Sequence, residues 1–253
     1  MANALDGTVA LVTGASSGIG DATARSLAAH GAAVAVVARR RERLDALATE
    51  IESGGGRALA IEADVTDQAQ AIDAVERTAA ELGRLDTVVN NAGVMLLGPI
   101  EGAPTEEWDR MVALNVNGLL YVSHAALPHL ARAAGGDPRR VADLINVSSV
   151  AGRRATAGSG VYNATKFAVN AFTEAMRQEF TERHIRISVV EPGAVETELT
   201  DHLRPEIREQ LRSGFEFERL AAADVADAIA YIVTRARHIA INELLIRPTE
   251  QVR

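Results

Sequence analysis

Short apolar runs alternate with longer helical patterns along almost the whole chain, and this alternation limits the fold more than any other feature. The runs are nearly continuous and rich in β-branched residues, which is typical of strands buried on both faces of a sheet. Such alternation predicts an α/β fold, with a parallel sheet covered by helices on both faces. Seven strands are predicted, at residues 8–14, 32–38, 57–65, 86–93, 141–149, 186–193 and 242–248. Helices are predicted at 18–30, from the end of the second strand to about 53, at 67–82, about 105–133, 161–183 and about 223–234.

No linker or internal repeat divides this pattern. Two stretches rich in turn residues, 53–57 and 133–140, each lie between a helix and a strand, so loops account for them. We therefore predict a single domain over residues 1–253. Residues 197–217 fit no strand and are predicted to form a helical substrate flap near the carboxyl edge of the sheet. The connection at 133–143 is interpreted as a surface insertion without a catalytic role.

Charge and cysteine content exclude several classes of function. The formal net charge of −8 argues against a nucleic-acid partner, because no basic surface would offset the phosphate charge. The absence of cysteine excludes disulfides, thiol nucleophiles and cysteine-type zinc sites. The first residues show no signal-peptide pattern, and the apolar runs are far shorter than a membrane span. We expect a soluble, cytoplasmic protein that does not bind membranes.

The sequence "TGASSGIG" at residues 13–20 follows the first predicted strand and opens the first predicted helix. Its glycines Gly14, Gly18 and Gly20 allow a tight turn, close approach of a ligand and close helix–strand packing. The helix N-terminus directs free N–H groups and the positive end of its dipole towards an anion. A glycine turn without a ligand is the simpler alternative. The position at the first strand–helix junction nevertheless favours a dinucleotide and a Rossmann-type, doubly wound domain.

The residues after the second strand bear on which dinucleotide is bound. NAD-binding domains of this type usually place an acidic residue there, which holds the 2′-hydroxyl of the ribose. This chain instead has Ala38 followed by Arg39, Arg40 and Arg41. No carboxylate at this point of the sequence repels a 2′-phosphate, and guanidinium groups are available to bind one. The sequence predicts NADP(H), with Arg39 as the first choice for the phosphate contact, although some of these arginines could simply form a solvated helix face.

Lys166 is the only lysine among the 26 lysines and arginines of the chain. It follows Tyr162 by four residues on a predicted helix, so the two side chains share one face. A phenol is a poor acid or base at neutral pH, and a neighbouring ammonium group favours the phenolate and lowers its pKa. A guanidinium group stays protonated, whereas an ammonium group is compact and can pass protons. The pair predicts acid–base chemistry, although a tyrosine and a lysine at this spacing also occur together by chance.

Further motifs accompany this pair in a fixed order: "TGASSGIG", "NNAG" (90–93), Asn115 in "LNVNG", "INVSS" ending at Ser149, "YNATK" (162–166) and "EPGAVET" (191–197). With this set the chain resembles the short-chain dehydrogenase/reductase family over essentially its full length. The resemblance implies an oxidoreductase that carries a hydride to or from C4 of a nicotinamide. It also implies a homotetramer, or a homodimer, packed through the two long helices.

The resemblance implies roles for single positions. Tyr162 would be the general acid in reduction and the base in the reverse reaction, and Lys166 would lower its pKa and hold the nicotinamide ribose. Ser149, rather than the adjacent Ser148, would hydrogen-bond the substrate oxygen, and Asn115 would anchor a water in the proton relay. The implied cofactor-binding residues, which include Asp64 and Val65 beside the adenine and Thr197 near the carboxamide, are Gly14, Ser16, Ser17, Gly18, Ile19, Gly20, Arg39, Arg40, Asp64, Val65, Asn91, Ala92, Gly93, Tyr162, Lys166, Pro192, Gly193, Val195 and Thr197.

Three stretches bear on the substrate: "NNAGVMLLGPI" (90–100), residues 177–199 and "ELLIRPTEQV" (243–252). In them the chain is most similar to the branch of the family that contains clavulanate dehydrogenase and the NADP-dependent 3-hydroxy acid dehydrogenases. That similarity implies aldehyde, ketone or hydroxy-acid substrates, with or without a carboxylate. Met95, Leu96 and Leu97 are predicted to form an apolar wall. Arg153 or Arg154 could bind a substrate carboxylate, but arginines in such a position are more often surface residues or subunit contacts.

Two other functions use a related domain. One is a regulatory protein that senses NADP(H) without catalysis, but such sensors typically lack the tyrosine–lysine pair that this chain contains. The other is an epimerase or dehydratase of the extended fold, which would usually need a larger C-terminal substrate domain than the residues after the seventh strand provide. The leading prediction is therefore an NADP(H)-dependent oxidoreductase acting on a small carbonyl or alcohol compound.

Overall fold

The computed structural model describes residues 3–213 and 217–252. Its seven strands form one parallel sheet in the order β3-β2-β1-β4-β5-β6-β7. The strands are β1 Val9–Thr13, β2 Ala33–Ala38, β3 Arg57–Glu62, β4 Thr87–Asn90, β5 Ala142–Val147, β6 Ile185–Pro192 and β7 Glu243–Ile246. The helices are α1 Gly18–Ala29, α2 Arg41–Ser53, α3 Gln68–Leu82, α4 Thr105–Val112, α5 Leu119–Ala134, α6 Gly160–Phe180, α7 Pro205–Ser213 and α8 Ala222–Val233. The predicted seven-stranded, doubly wound fold is confirmed.

Each strand contributes to two cores because successive side chains point to opposite faces of the sheet. In β1, Val9 and Leu11 pack into a core covered by α3, α5 and α6. Ala10 and Val12 pack into a second core, which α1, α2 and α8 cover. The direction of strand order reverses between β1 and β4, and a crevice forms at such a point beyond the carboxyl ends of the strands.

The helix predicted at about 105–133 is divided in the structure. A π-helical turn, Ala113–Gly118, joins α4 to α5, and turns of this kind are frequent at functional sites. Asn115 lies in this turn and is only 2% exposed. Its side chain accepts a hydrogen bond from the Val94 amide at 2.8 Å and donates one to the Val94 carbonyl at 2.9 Å. The turn therefore fastens the loop after β4 to the helix behind it.

The segment 197–217 begins with a 3₁₀ turn, Glu198–His202, and continues into α7. Thr197 caps the turn, because its hydroxyl accepts a hydrogen bond from the Leu199 amide at 3.3 Å. Arg204 ties the segment to the opposite side of the crevice: it donates to the Leu97 carbonyl at 3.4 Å and lies 3.3 Å from the Glu107 carboxylate. Residues 214–216 of the predicted flap lie outside the described residues.

Buried ion pairs hold the amino ends of the central strands. The carboxylate of Asp86 receives Arg84 at 2.7 and 2.8 Å and the amide of Val9 at 2.9 Å. The carboxylate of Asp143 receives Arg186 at 2.6 and 3.0 Å and Arg139 at 2.9 Å. The interpretation of 133–143 as a mere surface insertion is wrong in this respect, since the Arg139 side chain is only 11% exposed and neutralises a buried charge.

Candidate active site

A cleft of about 720 Å³ opens at the carboxyl ends of the strands. The residues predicted to bind cofactor or substrate, or to catalyse, line it with three exceptions: Gly20, Leu96 and Asn115. All three are buried behind its wall. Residues far apart in the sequence thus meet at one site.

The described part of the chain has no helix that is both long and apolar enough to cross a membrane.

The glycine-rich loop forms one end of the cleft. Gly18, the first residue of α1, has φ +57°, a conformation that L side chains rarely adopt. A Cβ at Gly20 would overlap the carbonyl oxygen of Gly14, so helix and loop come this close only with glycine. The free N–H groups of α1 and the hydroxyls of Ser16 and Ser17 border the same space. This donor set fits the phosphates of a dinucleotide.

An arginine cluster lies beside that loop. Arg40 donates to Ser16 Oγ at 2.8 and 3.0 Å and to Ser17 Oγ at 2.7 Å. Arg39 lies 3.7 Å from the Asp64 carboxylate, and its side chain is 60% exposed. The sequence favours Arg39 for the phosphate contact, whereas in the structure Arg40 contacts the loop, as does Arg43, which donates to the Ser16 carbonyl at 3.5 Å.

Two further residues belong to this cluster and were not predicted from the sequence. Arg43 is one turn beyond Arg40 on α2, and both arginines bind the carboxylate of Glu198, at 2.6 and 2.8 Å. No carboxylate follows β2 directly in the sequence, but the fold brings the carboxylate of Glu198 to this point. Spacing on a helix could have indicated Arg43, but Glu198 is separated from Arg40 by 158 residues and only the fold brings it there.

The tyrosine, serine and lysine meet where β5 ends. Tyr162 and Lys166 lie one turn apart on α6, and Lys166 Nζ is 5.9 Å from the centre of the Tyr162 ring. Lys166 donates to the Val147 carbonyl at 2.9 Å. Ser149 Oγ accepts from the Ala151 amide at 3.1 Å and also hydrogen-bonds the Tyr162 phenol. The hydroxyl of the neighbouring Ser148 points elsewhere, to the carbonyl of Lys166 at 3.3 Å.

Burial dominates the electrostatics of this group. It raises the pKa of Tyr162 to about 12, and the hydrogen bond with Ser149 lowers that pKa by less than burial raises it. Burial also lowers the pKa of Lys166 to about 8, because an ammonium group loses its hydration there. In the protein by itself, burial keeps the pKa of the phenol above its ordinary value, and a lowering of that pKa by Lys166 stays a prediction. The phenol is a protonated donor, and the lysine titrates close to neutral pH.

The wall opposite the tyrosine is bare backbone. A Cβ at Gly93 would lie 3.3 Å from Asn115 Oδ1 and 3.9 Å from Lys166 Nζ, so a larger residue would fill the space in front of the lysine. Asn115 also donates to Thr165 Oγ1 at 3.2 Å, and its amide is therefore engaged by protein atoms on both sides. Asn115 shapes this space from behind, and the cradle fits a flat ring or a sugar.

The substrate side of the cleft departs from the prediction in two places. Met95 and Leu97 line it, but Leu96 is 7% exposed and packs in a small core with Tyr162. Arg153 binds Glu191 at 2.6 Å and also binds Glu243, so its guanidinium is engaged in ion pairs. Arg154 is exposed at the cleft wall. The predicted flap contributes His202 to the wall, and three residues of the C-terminal region that were not predicted complete it: Leu245, Arg247 and Gln251.

Comparisons with known proteins agree with this geometry. A family model described as short chain dehydrogenase matches residues 8–208. An uncharacterized oxidoreductase of Staphylococcus epidermidis is 35% identical over 243 residues, which cover 95% of this chain and 96% of the relative. Among solved structures, the closed form of serine dehydrogenase complexed with NADP⁺ superposes with a TM-score of 0.88 at 30% identity and 97% coverage of both chains. A 3-ketoacyl-(acyl-carrier-protein) reductase from Brucella melitensis complexed with NADH has a TM-score of 0.84 at 32% identity, covering 96% of this chain and 97% of the other.

Proposed function

The chain belongs to the short chain dehydrogenase family, and we propose that it is an NADP(H)-dependent oxidoreductase that interconverts a carbonyl compound and an alcohol. One observation carries this proposal. A buried phenol, a serine hydroxyl bonded to it and a lysine of lowered pKa meet beside a backbone cradle in one cleft. This arrangement supplies a proton donor, a second hydrogen-bond donor and a titrating cation around one small space.

The residues would divide the work of carbonyl reduction as follows. Bound NADPH supplies the hydride that adds to the carbonyl carbon. Tyr162 gives its phenolic proton to the carbonyl oxygen, and Ser149 hydrogen-bonds that oxygen and stabilises the charge developing on it. The ammonium group of Lys166 stabilises the phenolate that remains, and its pKa of about 8 allows it to pass a proton back. In alcohol oxidation each proton moves the opposite way, and Tyr162 acts as the base.

The preference for NADP(H) rests on the arginine cluster. One similar structure holds NADP⁺ and another holds NADH, so the fold by itself does not choose between them. Arg40 and Arg39 line the cleft beside the glycine-rich loop, where the ribose of the adenosine half would lie. Guanidinium groups bind a phosphate dianion strongly and gain little from a hydroxyl.

The substrate that we propose is a small aldehyde, ketone or hydroxy acid. Met95 and Leu97 give an apolar contact surface, and Arg154 provides the cation that would bind a substrate carboxylate. Replacing Arg154 with alanine should then raise KM for carboxylated substrates and leave KM for neutral ones unchanged. An equal rise for both kinds of substrate would contradict the role of Arg154.

The test follows the absorbance of the reduced nicotinamide with NADPH and NADH in parallel. Each is offered with a panel of neutral and carboxylated carbonyl compounds. In the wild type we expect turnover with NADPH, and Tyr162→Phe should lower kcat about 10³-fold or more, because general acid catalysis is lost. Tyr231→Phe is the matched control: it removes the same oxygen from a tyrosine that is 51% exposed and absent from the cleft lining.

Each outcome decides between functions. Turnover that disappears in Tyr162→Phe and persists in Tyr231→Phe supports the oxidoreductase. Equal loss in the two variants would contradict the role of Tyr162. Tight binding of NADPH with no turnover of any compound in the panel would favour the sensing protein instead.

A further inference from the structure

Glu198 occupies the binding face of two arginines at the adenosine end of the cleft. Its carboxylate receives Arg43 at 2.6 and 2.9 Å and Arg40 at 2.8 Å. Arg40 simultaneously holds the two serine hydroxyls of the glycine-rich loop. Glu198 is the first residue of the 3₁₀ turn, and its carboxylate joins that turn to α2. Through Arg40 it also joins the turn to the glycine-rich loop.

This carboxylate remains charged at any working pH. Hydrogen bonds from Arg40 and Arg43 lower the pKa of Glu198 to about 2. A carboxylate and a phosphate make the same kind of contact with a guanidinium group, through oxygen atoms that accept two N–H bonds. Glu198 is therefore bound to these arginines in the way that an anionic ligand would be.

We propose that Glu198 is an internal anion that the 2′-phosphate of NADP(H) displaces from Arg40 and Arg43, which releases residues 197–209 from α2. The inference rests on the proposed cofactor. A phosphate dianion and a carboxylate repel each other when they share two guanidinium groups. The bound phosphate carries the larger charge, so the carboxylate leaves. NAD(H) has a hydroxyl in place of the phosphate and leaves the Glu198 contacts intact.

Displacement of Glu198 by the 2′-phosphate links the choice of cofactor to the substrate side of the cleft. The segment that Glu198 anchors also contributes Leu199, Thr200 and His202 to the cleft wall. When the Glu198 contact is broken, the segment remains joined to the substrate side through Arg204 and its contact with Glu107. With NADP(H) the substrate wall would therefore keep the Arg204 contacts but lose the Glu198 contacts, and with NAD(H) it would keep both.

Removing the charge of Glu198 should strengthen the binding of 2′-phosphorylated ligands, because no competing anion has to leave. The test measures Kd by calorimetry for 2′,5′-ADP and for 5′-AMP, which differ only in that phosphate. For Glu198→Gln we expect 2′,5′-ADP to bind about five- to tenfold more tightly, as the loss of two exposed ion pairs of modest strength allows. The Kd of 5′-AMP should stay within about twofold of the wild-type value. Glu196→Gln, two residues away on an exposed side chain, makes the same change of charge and should alter neither Kd.

Amide hydrogen exchange gives a second readout that needs no turnover. In the wild type, saturating 2′,5′-ADP should speed exchange across residues 198–209, and 5′-AMP should not. Glu198→Gln without ligand should already exchange at the faster rate. Slower exchange with 2′,5′-ADP would overturn the proposal, because it would show that the phosphate fastens the segment.

The outcomes separate this inference from the proposed cofactor. If the wild type binds 2′,5′-ADP no better than 5′-AMP, the NADP(H) preference is wrong, and so is the displacement of Glu198 by the 2′-phosphate. If the wild type prefers 2′,5′-ADP, but Glu198→Gln binds it equally or more weakly, only the inference is overturned. In that case Glu198 positions the arginines for the phosphate.

Discussion

Two sets of buried ionisable groups, one at each edge of the sheet, are compensated in opposite ways. At the amino edge, the fully buried carboxylates of Asp86 and Asp143 are each paired with arginine. At the carboxyl edge, Tyr162 and Lys166 are also buried, and each of these two residues is 7% exposed. Lys166 there has a backbone carbonyl for a partner and, among residues 3–213 and 217–252, no salt bridge. These two sets of groups are similarly buried, but only the two carboxylates are paired with an opposite charge.

This difference separates stability from reactivity. A buried ion with a partner keeps its charge, and breaking the pair leaves an uncompensated charge inside the protein. A buried ion without a partner shifts its pKa towards the neutral form, which is how Lys166 reaches a pKa of about 8. The same difference fits the choice of cation in these two sets: arginines hold the fixed charges of Asp86 and Asp143, and the one lysine is beside Tyr162, where we propose that a proton moves.

The largest expected effect comes from making the carboxyl edge resemble the amino edge. Lys166→Arg places a group that does not deprotonate and is bulkier in the space in front of Gly93. We expect kcat for reduction to fall about 10³- to 10⁴-fold, equivalent to about 4–5.5 kcal/mol in the barrier. Steady-state kinetics with NADPH measures the loss, and circular dichroism checks that the variant is folded.

The reciprocal change, Arg186→Lys, is its control. It removes guanidinium donors from Asp143 at the amino edge and should lower stability, while kcat stays within about threefold. If Lys166→Arg retained more than a tenth of the wild-type activity, the site would need only a positive charge there. The comparison between the two edges would then fail.

The second effect is on stability. Asp143→Asn leaves the buried guanidinium of Arg186 and that of Arg139 without an anion, so the free energy of unfolding should fall by about 3–5 kcal/mol. Urea denaturation measures it. Asp137→Asn makes the same chemical change at a side chain that is 82% exposed and paired with Arg140, and it should cost less than about 0.5 kcal/mol. Similar losses in both variants would mean that burial does not distinguish the two ion pairs.

The sequence predicted this fold well because the five central strands are buried on both faces and the junctions carry turn residues. The strands begin and end within about three residues of their predicted limits, a deviation expected where helix and strand ends fray. The motifs at the carboxyl ends of β1, β4, β5 and β6 meet because parallel strands bring those ends to one edge. Position in the strand order was enough to place them together.

What the sequence could not show depends on contacts between distant segments. Glu198 reaches Arg40 only because the 3₁₀ turn crosses to α2. Arg153 could not be excluded as a substrate ligand until Glu191 and Glu243 were seen beside it. Spacing on a helix predicts that Tyr162 and Lys166 are neighbours, whereas the extent to which the phenol is desolvated depends on the whole cleft.

A third prediction distinguishes two adjacent serines at the carboxyl edge. Ser149 hydrogen-bonds the Tyr162 phenol, and Ser148 bonds a backbone carbonyl on α6. Ser149→Ala should lower kcat/KM for reduction about 10²-fold, since one donor to the developing oxyanion is lost. Ser148→Ala, one residue away, should lower it less than about fivefold. Equal losses in both serine variants would contradict the assignment of Ser149.

The smallest effect tests the cost of leaving Lys166 unpaired. Folding lowers its pKa from 10.5 to about 8, so the unfolded chain binds more protons between those two pH values. The penalty is therefore complete below about pH 8 and disappears above about pH 10.5. Lys166→Met removes a penalty of about 3 kcal/mol and one hydrogen bond worth about 1 kcal/mol, so the variant should be more stable by about 2 kcal/mol at pH 7. Urea denaturation should show this advantage shrinking from pH 8 to 10.5, whereas an advantage that does not change with pH would show that folding leaves the pKa of Lys166 unchanged.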